Sequence, residues 1–267
     1  MHTHGWSLMV SLLVKALIYK ISKSSIRQRK ANITNLNKTY DDKVVLSNIT
    51  FHANKGEITG LIGPNGSGKS TLIKILLGLE SADSGKSTIL GKTYSELGDE
   101  PISIVGTFLD SYQPYPSRTG YEQLRWIALS CGLSKQRCIE CLEIVGLKDV
   151  GKKKIKDYSL GMKQRLGLAT AILADPDILI LDEPINGLDP EGIRWLREFL
   201  KDFVKQEKTV LLTSHYMSEL ELTVDRVVGI SNGHVVLNDK REQVLKQYDS
   251  FENAYFSSVH ERSSVKC

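Results

Sequence analysis

The 267-residue chain is predicted to adopt an α/β fold with a largely parallel core sheet that is divided by a helical insertion. Three observations carry that prediction. From about Ala31, short β-branched runs alternate with helical patterns. Residues 178–181, Ile-Leu-Ile-Leu, are wholly apolar, the composition of a strand buried on both faces. The middle of the chain is helix-rich, and no internal repeat or low-complexity linker interrupts the alternation.

Taken in order, residues 44–51 and 57–62 read as strands and 69–77 as a helix closed by Gly78. A further strand is expected over 102–109. Thr119 and Glu122 have the spacing of a capping box, which opens a helix running through Ser130; a second helix follows over 135–145 and a third over 160–173. Asp189 and Pro190 supply an N-cap and a first-turn proline for a helix through Gln206. Strands are expected at 209–213 and 226–230, and Asn232 with Gly233 signals a hairpin joining the latter to 234–237.

Composition sets outer limits on function. With 41% hydrophobic and 25% charged residues, the chain is that of a folded protein and not a disordered one. A net charge of +4 is too small to imply a nucleic-acid partner unless it is concentrated, and the one basic cluster, GKKKIK at 151–156, lacks interleaved aromatics for base stacking. That cluster reads as a solvated loop. Cys131, Cys138, Cys141 and Cys267 form no disulfide framework, which fits a reducing compartment. Cys138 and Cys141 lie in a helical pattern, and with no second ligand pair they read as packing residues on one apolar face.

Residues 1–30 stand apart as an N-terminal extension. Leu8, Met9, Leu12, Leu13, Ala16, Leu17 and Ile21 recur at helical spacing, which suggests an amphipathic helix. Lys15 and Lys20 interrupt it, leaving it short of the roughly 20 apolar residues of a spanning helix. A signal-peptide cleavage site is also missing. Two readings stay open: a basic helix on a membrane surface or partner, and a dispensable extension.

The chemistry is concentrated in two motifs. GPNGSGKS at 63–70 matches G-x-x-x-x-G-K-[ST] and falls between an expected strand and an expected helix. Gly63, Gly66 and Gly68 let the backbone curl around Pro64 so that its N–H groups, including those of Asn65 and Ser67, form a phosphate cradle at a helix N-terminus. Lys69 would reach the β- and γ-phosphates, and Ser70 would ligate Mg2+ with Thr71 beside it. The second motif is the apolar run ending in Asp182 and Glu183. A buried strand would deliver these two carboxylates to its C-terminal end, where ligands of parallel sheets bind. Asp182 would serve Mg2+ and Glu183 would act as general base or water-orienting group.

With these motifs in place, about residues 31–240 resemble the nucleotide-binding domain of ATP-binding cassette (ABC) transporters. YSLGMKQR at 158–165 is similar to that family's signature, usually LSGGQ, with Leu160 and Met162 as departures. The resemblance implies a P-loop NTPase fold with an N-terminal antiparallel β subdomain, an inserted helical subdomain over about 111–168, and a C-terminal tail over 241–267. It implies ATP and Mg2+ as ligands, and a dimer in which Ser159 and Gly161 of one subunit close over the γ-phosphate held by another. Asp189, in Asn186-Gly187-Leu188-Asp189, resembles the loop that communicates between the two sites. His215 matches the switch histidine at the γ-phosphate, and Tyr40 the aromatic that stacks on adenine.

The family's Q-loop glutamine, which touches Mg2+ and the permease, falls at Asp110 when the strand is aligned, with Gln113 as a rival. An acidic residue there, together with the SLGMKQR signature, is similar to bacitracin-resistance and lantibiotic-immunity exporters. The resemblance therefore implies an ATPase subunit, peripheral at the cytoplasmic face of the membrane. It would drive a permease on separate chains and pair with a second ATP-binding subunit, with no nucleic-acid partner. An antimicrobial peptide or related amphipathic compound is the implied cargo. A non-transport or regulatory ATPase of the same fold is the second reading.

Overall fold

The computed structural model describes residues 31–98 and 101–264. The expected amphipathic helix within 1–30, and Cys267, lie outside the described residues.

The first strands, β1 (Ala31–Tyr40), β2 (Lys43–Ala53) and, after an intervening strand and helix, β4 (Ser84–Ile89), form an antiparallel sheet in the order β2-β1-β4. The intervening strand β3 (Ile58–Ile62) belongs to the second sheet, as do β5 (Val105–Phe108), β6 (Ile178–Leu181), β7 (Thr209–Ser214), β8 (Arg226–Ser231) and β9 (His234–Lys240). Its order is β5-β6-β7-β3-β8-β9, parallel except for the β8/β9 hairpin at the edge. Asn232 and Gly233 turn that hairpin with φ of 46° and 73°, as a two-residue primed turn requires. A mostly parallel core sheet with an antiparallel N-terminal one is thus the architecture.

Helices cover both faces of the central sheet. On one face α1 (Lys69–Leu76) and the antiparallel sheet pack on Leu61, Ile178, Ile180, Leu211 and Val228. On the other, α2 (Gly120–Ser130), α3 (Lys135–Ile144), α4 (Leu160–Ala171) and α5 (Pro190–Lys205) pack on Ile58, Leu179, Leu181, Val210 and Leu212. Alternate residues of β6 therefore enter different cores, and all four are wholly buried. That is why this strand shows no polar alternation. Burying each such side chain contributes about 1.5–3 kcal/mol, so β6 is held rigidly where its end must present Asp182 and Glu183. Cys138 and Cys141 share the buried face of α3, and burial raises both thiols, Cys141 to about 11. Among the described residues no cluster of His, Cys, Asp and Glu could hold a metal.

Two expectations about elements need correction. The strand foreseen over 102–109 is shorter, because Pro101–Ser103 closes a 3₁₀ turn before β5 begins. The third helix of the middle region ends at Ala171 and not 173, where the side chain of Arg137 takes the carbonyls of Ile172 and Leu173 at 2.8 and 3.0 Å. After α6 (Met217–Glu221) and the β8/β9 hairpin, the described part of the C-terminal segment is helical: α7 (Arg241–Gln247) and α8 (Phe251–Ser264) fold onto the main core. Phe251, Ala254 and Tyr255 are buried there.

Candidate active site

The loop from β3 to α1 depends on glycine at two crowded positions. Gly63 has φ of 153°, and a Cβ there would stand 2.3 Å from the carbonyl oxygen of Ile230. Gly68 has φ of 107° and serves as the N-cap of α1; a Cβ there would meet Leu46 at 2.6 Å and the Val45 carbonyl oxygen at 2.9 Å. No side chain caps α1, so its first-turn N–H groups stay available to an anion. Ser67 Oγ is buried with no hydrogen-bond partner among the described residues. An uncapped helix start, a curled glycine loop and an unpaired hydroxyl are the features a phosphate group satisfies.

Lys69 emerges from this loop almost fully buried. Its Nζ donates to the carbonyls of Gly63 at 2.8 Å and Pro64 at 3.3 Å, and lies 3.6 Å from Glu183 Oε1. Across the site, at the C-terminal end of β6, Asp182 Oδ1 lies 3.3 Å from Ser70 Oγ. The same oxygen accepts a hydrogen bond from Thr213 Oγ1 at 2.6 Å, while the Glu183 backbone N–H donates to that hydroxyl at 2.9 Å. Thr213, wholly buried at the end of β7, therefore fixes both carboxylate residues. Glu183 sits at φ 52°, a left-handed conformation unusual for a non-glycine residue. His215 completes the line: its Nδ1 is 2.9 Å from Glu183 Oε2, and its backbone N–H points at the same oxygen from 3.3 Å.

These groups face a cleft of about 520 Å³. Tyr40, Asn65, Gly66, Gly68, Lys69, Ser70, Thr71, Asp110, Glu183 and His215 line it, so ten of the residues singled out from sequence converge on one space. Asp182 stands just behind it. Gly63, Pro64 and Ser67 shape the loop without lining the cleft, and Pro64 opens onto a different groove beside His215. Asp110 and Gln113 share a neighbouring groove, but only Asp110 also reaches this cleft. Asp110 lines this cleft and its Oδ1 accepts from Asn186 Nδ2 at 3.4 Å, whereas Gln113 lines only a neighbouring groove with Leu160, Lys163 and Gln164.

Ser159, Gly161 and Asp189 are outside the cleft. Ser159 caps α4 by accepting from the Met162 N–H at 3.2 Å, and Asp189 caps α5 by accepting from Gly192 N–H at 2.7 Å. Leu160, 61% exposed, lies over Gly187, where a Cβ would come within 2.4 Å of it. Sequence reasoning missed Thr213 and Asn186, together with Lys43 and Val45, which also line the cleft. A threonine that follows the apolar run Val210-Leu211-Leu212, two residues before His215, is the signal that would have exposed Thr213.

The arrangement suits a chain of negative oxygens entering from the loop side. Lys69 and the open amides could offset that charge, the Ser70 and Asp182 oxygens could seat a hard cation, and Glu183, hydrogen-bonded to His215, could order a water.

Comparison with known proteins agrees. A family model described as "ABC transporter" matches residues 46–186. The lantibiotic transport ATP-binding protein SrtF of Streptococcus pyogenes is 38% identical over 221 residues, covering 83% of this chain and 92% of that one. The bacitracin transport ATP-binding protein BcrA of Enterococcus faecalis is 43% identical over 204 residues, covering 76% and 66%. A solved ATP-binding subunit of an ABC transporter superposes with a TM-score of 0.77 at 28% identity, covering 86% of this chain and 99% of that one. The chain therefore belongs to the ABC transporter family, as an ATP-binding and ATP-hydrolysing subunit that powers transport by a separate permease.

Proposed function

We propose that this subunit hydrolyses ATP in a dimeric site to drive export of an antimicrobial peptide or a related amphipathic compound. The observation that carries the ATPase assignment is the linkage around one cleft: Ser70 to Asp182, Asp182 to Thr213, Thr213 to Glu183, and Glu183 to both His215 and Lys69. Each role follows from position. Residues 63–71 hold the phosphates, with Lys69 offsetting their charge, and Tyr40 at the rim offers a ring face to the base. Glu183 accepts the proton of the attacking water, and His215 keeps that carboxylate oriented. Ser70, Asp182 and Asp110 would hold Mg2+, which when bound supplies charge neutralisation at the phosphate oxygens.

Ser159 and Gly161 sit at the start of a twelve-residue helix, away from their own subunit's cleft, which favours a role across a dimer interface. Asp189 would report between the two sites. The partners are then a second ATP-binding subunit, identical or related, and permease chains at the cytoplasmic face of the membrane. No described helix is long and apolar enough to cross a membrane itself. We assign residues 31–240 to the nucleotide-binding domain with its helical part at about 111–168, 1–30 to an extension and 241–267 to a C-terminal segment. The peptide cargo rests on the similarity to SrtF and BcrA, whose names specify lantibiotic and bacitracin transport.

Glu183→Gln tests the mechanism. Turnover should fall by about 10²–10⁴-fold, and the variant should accumulate as an ATP-bound dimer on size exclusion. A variant that hydrolyses ATP at the parent rate would end the assignment of Glu183. For cargo, the chain co-expressed with its permease should raise resistance to a lantibiotic or to bacitracin, and Lys69→Ala should abolish the gain. No gain with any such peptide would refute the cargo.

A further inference from the structure

The rear of the phosphate loop is closed by a part of the chain that lies well beyond the residues matched by the family model. Where the β3/β8 ladder ends at Ile62 opposite Gly229, the carbonyl oxygen of the next residue, Ile230, presses so closely on Gly63 that no Cβ could be accommodated between them. This carbonyl is the immediate wall behind the first residue of the loop. From the other side it accepts a hydrogen bond from Tyr255 Oη at 3.0 Å. The Tyr255 ring lies over Gly229, where a Cβ would approach its Cδ2 to 3.1 Å. A glycine at 229 is thus what admits the ring, and the phenol reaches past it to the carbonyl.

The helix carrying Tyr255 is firmly seated. Phe251 at its start is fully buried and its backbone N–H donates to Glu221 Oε2 at 2.8 Å; near its end, Arg262 Nη1 donates to the Val235 carbonyl at 2.6 Å. The same helix also borders a cleft of about 380 Å³ shared with Pro64 and His215. It stands behind both the loop and the histidine.

We infer that Tyr255 is a positioning residue that holds the phosphate loop in its binding conformation through the Ile230 carbonyl. The inference rests on the reading of residues 63–70 as the ATP phosphate loop. Fixing the carbonyl fixes the wall against which Gly63 must lie. That in turn sets where the loop's N–H groups point before ATP arrives, which lowers the ordering cost of binding. Such a residue should influence ATP affinity more than the chemical step.

The test is titration of the full-length chain with MgATP, in a Glu183→Gln background so that no turnover occurs, at least about 15 °C below the melting midpoint of every variant. Tyr255→Phe keeps the ring and removes only the hydroxyl. It should raise Kd by about 3–10-fold. With Glu183 restored, KM should rise while kcat at saturating ATP stays within about twofold. Phe251→Leu loosens the same helix without touching Ile230; it should lower the melting midpoint and leave Kd unchanged. Lys69→Ala monitors the underlying reading and should abolish binding. If Lys69→Ala binds like the parent, the phosphate-loop reading itself is wrong. If Lys69→Ala loses binding but Tyr255→Phe matches the parent, or Phe251→Leu weakens binding as much as Tyr255→Phe, the positioning role is overturned.

Discussion

Thr213→Val probes the centre of the site without altering its charge. The substitution replaces a hydroxyl by a methyl of similar size, so cavity formation contributes little and the lost hydrogen bonds dominate. Two are lost: the short one to the Asp182 carboxylate at 2.6 Å, and the one from the Glu183 N–H at 2.9 Å. A bond to a charged group contributes about 1.5–3 kcal/mol and a neutral one about 0.5–1.5 kcal/mol. Both groups left behind are buried, so the loss should fall near their sum, about 2–4 kcal/mol. For a chain of this size that corresponds to roughly 5–15 °C in the melting midpoint. The loss extends to turnover, because Glu183 is held at φ 52° and this bond is part of what holds it. A displacement of about 1 Å at a reacting group can cost on the order of 10²-fold, so kcat should drop by at least about tenfold. Thr213→Ser keeps the hydroxyl and should retain most of both quantities. Differential scanning calorimetry and a phosphate-release assay measure them. A Val variant within about 2 °C and twofold of the parent would refute the claim that Thr213 organises the two carboxylates.

Four further outcomes follow from the geometry. Gly63→Ala should abolish ATP binding or folding, since its Cβ would meet the Ile230 oxygen at 2.3 Å; nucleotide titration of whatever soluble protein is obtained checks this. Asp110→Asn should uncouple ATPase from transport while Gln113→Ala should not, because only Asp110 borders the cleft; the two rates measured side by side in reconstituted transporter decide. Arg137→Met should lower stability by about 1–3 kcal/mol by releasing the carbonyls of Ile172 and Leu173, with ATP affinity unaltered. The Cys138 and Cys141 thiols should resist maleimide at pH 7–8. Because Cys141 titrates near 11 in the fold against 9.0 when free, the folded state holds its proton longer; the contribution is intact below pH about 9 and is lost as pH rises towards about 11, which pH-dependent denaturation would register.

What could be read from sequence was the chemistry carried by local patterns. The phosphate loop is contiguous, β6 announces its two-sided burial by lacking any polar residue, and the Asn232-Gly233 turn is specified by the conformations those two residues tolerate. β4 was not legible. As an edge strand paired only with β1, it reads Ser-Gly-Lys-Ser-Thr-Ile, with a single buried residue and no apolar alternation to mark it. Thr213 was hidden for the opposite reason: threonine is at home in any strand, and only the packing of β6 beside β7 shows that its hydroxyl meets two carboxylate residues. The contact between Asp110 and Asn186 joins residues 76 apart, a distance at which no local pattern speaks. The departure at Leu160 was visible, but its seat on Gly187 was not.

The position of β3 has a temporal consequence. This strand lies in the interior of the parallel sheet, yet both of its neighbours, β7 and β8, are made about 150 residues later. On a ribosome the loop at 63–70 therefore emerges long before β7 and β8 exist to flank its strand, and the wall at Ile230 and its brace at Tyr255 are made later still. Competence to hold nucleotide should appear late and abruptly, once the last strands close around β3. Nascent chains halted before residue 230 should bind no ATP, whatever their helical content, and ATP should be unable to guide the early steps of folding.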